Sequence, residues 1–285
     1  MRKMWLLIIS LALILGCVAC DDATILNDSD RNNLPPFNHI ASDVDEGLLF
    51  EFIGVDSECT EGYCLKIHLE NLSSVQTYWV DIESIAANGV QGLSYFEAVV
   101  KPGRELNTDL ILYDVFLEMN NVGVYTDIEV TYCVYDNEEM LNEPLFQETI
   151  HYYPHGEELA TTFVREPQDT DIVLADNDLF TVIATRYEED PILGHNVHLY
   201  FVNKSDKWIT FSAEDPFVNG IEIYSLWAVG RIDPGKCGFS RLHWNRSEMF
   251  DHGIESVDEI QFTLFVYDED TFLDGLYNEV ITIQP

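Results

Sequence analysis

Apolar and polar side chains alternate along LKIHLEN, with Leu65, Ile67 and Leu69 on one side and Lys66, His68 and Glu70 on the other. A two-residue period of this kind marks a strand with one buried face. VHLYFVN repeats it, with Val197, Leu199 and Phe201 as its inward set. In IEVTYCVYD the inward positions are Ile128, Val130, Tyr132 and Val134, and in IQFTLFVYD they are Ile260, Phe262, Leu264 and Val266. Asn88-Gly89 and Asn219-Gly220 lie between such runs, where both residues can take positive φ and close a tight hairpin. Pro102-Gly103 and Pro234-Gly235 give further turns. One short helical turn is expected in each half. Asn245 or Ser247 can cap a turn through Glu248 to His252, with Gly253 as the left-handed exit, and Leu117 to Asn121 is its counterpart.

These signals are written twice. An offset of 132 residues relates Asn71 to Asn203, Pro102-Gly103 to Pro234-Gly235 and Tyr135-Asp136 to Tyr267-Asp268. A register held over so long a span indicates a duplicated domain rather than a solenoid unit of roughly 20–50 residues. Half-apolar sheets must cover one another, so the expected fold is all-β: two tandem Ig-like antiparallel sandwiches at residues 37–154 and 170–285, joined by a linker at 155–169.

The N-terminus, MRKMWLLIISLALILGCVAC, places Arg2 and Lys3 before an apolar run ending at Gly16. It reads as an export signal over residues 1–16, too short for a bilayer span of roughly 20 residues. Leu15-Gly16-Cys17 resembles the lipobox of bacterial lipoproteins, in which the cysteine is acylated and becomes the N-terminus; Cys17 fits that pattern better than Cys20, and cleavage without lipidation is the alternative. Residues 17–36 are polar, with a Pro35-Pro36 pair at their end, and suit a flexible tether. The expected location is therefore the outer face of the bacterial cell membrane. Fifty-one acidic residues oppose 14 basic ones, a net charge of −37, or −39 once Arg2 and Lys3 leave with the signal. That balance repels phosphate backbones and argues against nucleic-acid partners.

The segments IVLADNDLFTVIA, FVNKSDKWITFSAEDPFVNG, GIESVDEIQFTLFVYDEDT and ITIQP resemble an uncharacterised Ig-like domain found in surface lipoproteins of Gram-positive bacteria. The first half matches that pattern more loosely, with ENLSS, PGR and VYDNEEM at the corresponding places. The resemblance brings no catalytic residues to this chain.

Candidate chemistry is sparse. GRIDPGKC imitates a phosphate loop, but Cys237 stands where a magnesium-binding hydroxyl belongs and the Pro-Gly turn recurs in the first half. Cys59 and Cys64 flank a strand connection and could form a disulfide in an exported protein; free thiols are the alternative. Cys133 and Cys237 are not expected to pair. His195/His198 and His151/His155 each supply at most half a metal site. Asp268, Glu269 and Asp270, with Asp136 at the matching place, are calcium candidates whose alternative role is turn bonding; Asp43, Asp45 and Glu46 form another acidic cluster. Tyr78, Trp79, Trp208, Trp227 and Trp244 can serve as a sugar platform or as core. No cofactor beyond calcium is implied. The functions this leaves are a noncatalytic binding or adhesion-type protein with a protein or glycan ligand, a structural accessory of an envelope complex, and, last, a hydrolase.

Overall fold

The computed structural model describes residues 47–138, 143–190, 194–224, 226–227, 230–268, 271 and 275–285. The first half contains β1 (Leu48–Asp56), β2 (Tyr63–Asn71), β3 (Tyr78–Ala87), β4 (Val90–Gln91), β5 (Glu97–Val100), β6 (Glu105–Leu112), the short helix α1 (Val115–Met119), β7 (Ile128–Asp136) and β8 (Phe146–Tyr152). A 3-10 turn at Glu157–Leu159 lies in the connection. The second half contains β9 (Ile172–Asp176), β10 (Phe180–Asp190), β11 (Gly194–Asn203), β12 (Ile209–Val218), β13 (Ile221–Glu222), β14 (Leu226–Trp227), β15 (Arg231–Ile232), β16 (Cys237–Asn245), the helix α2 (Arg246–Asp251), β17 (Ile260–Tyr267) and β18 (Tyr277–Ile283).

The fold is all-β, built as two tandem Ig-like sandwiches with the same strand order. In the first module β1-β2-β6 faces β3-β7-β8; in the second β10-β11-β16 faces β12-β17-β18. Bulges recur as well, at Phe52/Gly54 and Ala184/Arg186. Each sandwich closes over its own apolar cluster: Leu65, Ile67, Leu69, Ile128, Val130, Tyr132 and Val134 are buried in the first, and Val197, Leu199, Phe201, Ile260, Phe262, Leu264 and Val266 in the second. Both Asn-Gly hairpins use the expected left-handed backbone, with φ of 52° and 79° at Asn88-Gly89 and 52° and 77° at Asn219-Gly220.

The asparagines also have a second role that periodicity does not reveal. Asn88 Oδ1 accepts from the backbone of Thr126 and Asp127 while its amide donates to Val124, and Asn219 spans the same gap to Asp258, Glu259 and Ser256. Asn71 and Asn203 are fully buried and tie two segments together. Asn71 donates to the carbonyls of Gln76 and Val100, and Asn203 to those of Lys207 and Ile232.

The helices differ slightly from expectation. Asn245, not Ser247, caps α2, accepting from the Ser247 N–H at 2.9 Å, and Gly253 exits at φ 72°. α1 begins two residues before Leu117, after Asp114, and Asn121 supplies the left-handed residue that follows it.

The join between modules is a strand pairing. β4 pairs with β3 on one edge and runs parallel to β16 on the other, Val90 opposite Cys237 and Gln91 opposite Gly238. One ten-stranded sheet, β8-β7-β3-β4-β16-β11-β10-β9 with β5 and β14 alongside, therefore passes through both sandwiches. As a result β11 is buried on both faces: Tyr200 and Cys237 belong to the first module's apolar cluster, and Val202 and Phe239 pack against it. Residues 155–169 line this junction as well. Phe163 meets Phe239 edge-on at 5.9 Å, and Arg165 forms a bidentate pair with Asp171 while lying over the Tyr200 ring.

Candidate functional site: the groove between the modules

The parallel pairing of β4 with β16 fixes the position of a groove. Gly238 leaves room for Ile232 of its own module, whose Cδ1 would lie 2.5 Å from a Cβ there, while Gln91 Cβ on β4 would sit at an ordinary 3.5 Å. On either side the seam is braced by charge. Lys236 Nζ is 2.5 Å from Glu129 Oε2, and Arg231 pairs with Glu83 across the modules and with Asp233 within its own. The Arg231 guanidinium also lies over the Trp208 ring, 5.3 Å from its centre. Gln91 completes the tie, its Oε1 accepting from the Asp233 N–H while its amide donates to Ser84 and the Ile85 carbonyl.

Beside this seam lies a shallow open groove, lined by Leu93, Tyr113, Phe116 and Leu117 from the first module and by Ile232 and Phe239 from the second. It is a surface cleft rather than an enclosed cavity, and it lies at a domain junction, a place where ligand sites are common. The wall is mostly apolar, and its charged and amide groups, Arg231 and Gln91, are already engaged. Tyr95 extends the rim, 5.6 Å from Tyr113 and mostly exposed. The α1 side is acidic: burial raises the carboxyl pKa values of both Asp114 and Glu118, and Tyr125 donates to Asp114. Arg241 lies over Phe116. The arrangement can hold an apolar or aromatic group without desolvating an unpaired charge.

Sequence reasoning missed these residues, although a signal was present. Phe239 in GFSRLHW and Tyr200 in VHLYFVN interrupt polar faces of their strands.

The residues singled out from sequence are dispersed. Cys59 and Cys64 form a disulfide across the β1–β2 connection, with Cα atoms 6.1 Å apart. Cys133 and Cys237 are free and buried, and burial raises both thiol pKa values, Cys133 to about 11. Asp136 accepts from Gln76 and the Glu138 N–H, and Asp268 accepts from the backbone and hydroxyl of Thr271, so both serve turns. Glu269, Asp270, Asp43, Asp45, Glu46, Cys17 and Cys20 lie outside the described residues, as does the Trp227 side chain. Among the described residues no group of three or more His, Cys, Asp or Glu is placed to hold a metal ion, and no helix is long and apolar enough to cross a membrane.

The histidine pairs are engaged separately. His195 bonds Tyr187, His198 Nε2 donates to the Glu188 carboxylate at 2.8 Å, and His151 meets Asp127 at 2.8 Å. Burial lowers the pKa of His195 and His198, with Glu188 opposing it at His198. The aromatic candidates also separate. Tyr78 and Trp244 are core, Trp208 stacks under Arg231, and Trp79 points outward beside Tyr135.

No protein-family model and no curated protein matches the sequence. Among solved structures, the YadV chaperone is 11% identical with a TM-score of 0.23, covering 78% of this chain and 92% of its own. A protein of unknown function from Porphyromonas gingivalis W83 is 10% identical with a TM-score of 0.23, covering 78% and 91%. The Amycolatopsis orientalis exo-chitosanase CsxA is 8% identical with a TM-score of 0.27, covering 85% of this chain and 27% of its own. Likeness this faint bears on no activity.

Proposed function

We propose that this protein is a lipid-anchored, extracytoplasmic binding protein of the bacterial cell surface, without catalytic activity, that receives an apolar or aromatic group of a protein or glycan ligand in the groove between its modules. The observation that carries this reading is the groove itself. Its walls come from both sandwiches, and a strand pairing plus two cross-module ion pairs hold their spacing. A site so braced spends little binding free energy on closure. The export signal and the cysteine at its end support the address, and the acidic balance supports a solvated surface facing non-nucleic ligands.

The test is an array of glycans and peptides probed with the purified protein and with Phe116→Ser and Leu93→Glu variants. Hits lost in both variants are expected. Hits that survive both, or turnover of an arrayed polysaccharide, would overturn the reading. The anchor is tested by labelling cells with an alkyne fatty acid: Cys17→Ser should abolish incorporation and Cys20→Ser should retain it.

A second reading, an accessory subunit of an envelope complex, is favoured by the open edge at β9, where Ile172 and Val173 are exposed. Crosslinking in cells that recovers specific membrane proteins, with a silent array, would select it.

A further inference from the structure

The outer face of the first module carries a row of four apolar side chains, two of which the second module lacks. Val99 on β5 sits opposite Trp79 on β3, and Trp79 sits opposite Tyr135 on β7. Leu145, the residue before Phe146 of β8, continues the row, since Phe146 pairs with Val134. Four strands at about 4.8 Å spacing make the row about 14 Å long. Val99 is 51% exposed and Leu145 49%, while the rings of Trp79 and Tyr135 lie 4.9 Å apart and are partly exposed.

Directly beside this row, Asp81 and Glu97 face each other in register across β3 and β5. Like charges placed so oppose one another. Among the described residues neither pairs with a lysine, arginine or histidine, and Arg231, which reaches Glu83 further along β3, is committed to Glu83 and Asp233. Burial, with Glu97 and Glu83 adding repulsion, holds the Asp81 carboxyl at a pKa of about 6.

The duplication provides an internal control. At the corresponding places of the second module, Thr210 pairs with both Tyr267 and Arg231, and Ser212 follows where Asp81 stands. Tyr267 and Leu276 repeat Tyr135 and Leu145, whereas Trp79, Val99 and Asp81 are replaced by Thr210, Arg231 and Ser212, so the scaffold requires none of these three. Trp79, Val99 and the Asp81 carboxylate are particular to the first module and lie on adjoining positions.

We infer that the Val99–Trp79–Tyr135–Leu145 row and the Asp81/Glu97 pair form a docking surface for an extended protein segment in which lysine or arginine alternates with apolar residues. Apolar side chains of such a segment cover the row, while its cations meet the Trp79 face and the opposed carboxylates. The charge of this chain, −37 overall, draws the same class of partner. The surface is separate from the groove, so each can fail alone.

The probe is a fluorescein-labelled dodecapeptide alternating lysine and valine, followed by anisotropy at physiological salt, with a glutamate–valine peptide and a neutral glucan hexamer as comparators. Three variants are measured: Trp79→Thr, which installs the second module's residue; the double variant Asp81→Asn/Glu97→Gln; and Glu58→Gln/Glu61→Gln, which removes two exposed charges elsewhere. We expect the lysine peptide alone to bind, at least tenfold weaker for the first two variants and within twofold for the third. Equal weakening by the distant pair would reduce the binding to bulk charge and overturn the proposal. So would glucan binding that depends on Trp79 without peptide binding, or no binding by the lysine peptide.

Discussion

Replacing Asp81 by asparagine should stabilise this protein at neutral and alkaline pH and flatten one part of its pH profile. The carboxylate is half-buried on β3, opposite Glu97 and near Glu83, and its pKa is raised from 3.8 to about 6, chiefly by burial. A raised carboxyl pKa means that the folded state holds its proton more tightly than the unfolded chain. Ionised Asp81 therefore destabilises the fold above pH 6; the penalty fades as pH falls from about 6 to 3.8, and below 3.8 both states are protonated. At 1.36 kcal/mol per pH unit, the full difference is about 3 kcal/mol. Because about half the group remains in contact with water, screening leaves roughly 1–2 kcal/mol. Asparagine keeps the shape and removes the charge. Urea unfolding of wild type and Asp81→Asn at pH 8, 6 and 4 measures the difference; the variant should gain ~1–2 kcal/mol at pH 8 and nothing at pH 4. A loss that is the same at all three values would refute the reasoning, because it would show a structural hydrogen bond rather than a stranded charge.

Three further outcomes follow from the structure. Asn71→Ala and Asn203→Ala should each cost about 2–4 kcal/mol, since each strands two buried carbonyls, and the two losses should be nearly additive by chemical denaturation. Gly238→Leu should overpack the second module against Ile232 and cost about 1–3 kcal/mol, read as a lowered calorimetric transition. The second module should lose stability in acid: His195, His198 and His243 all have pKa values lowered by burial, so the unfolded chain binds their protons first as pH falls below about 6.5. In a wild-type chain this opposes the Asp81 effect, and the Asp81→Asn variant should expose it as a steeper acid decline.

The alternation of side chains determined the strands, the inward faces and the Asn-Gly turns, because those depend on local geometry with a period of two. The 132-residue register likewise determined that one scaffold occurs twice, and the structure repeats its strand order and its β1/β10 bulge. Only the tertiary structure decided what lies between and upon the copies. The β4–β16 pairing joins residues almost 150 positions apart, and the backbone groups of Val90 and Cys237 are those of any strand, so nothing in their side chains announces the contact. It converts the polar face of β11 into an interior and gathers Leu93, Phe116 and Phe239 around one groove. Trp79 and Trp244 illustrate the same division: each is an aromatic residue in a strand, but Trp244 is fully buried while Trp79 faces out beside Tyr135. Composition is blind to that choice. Which face of a strand meets its own core, a neighbouring module or the surroundings is settled by how whole sheets pack, a free energy shared among many residues rather than written in any one.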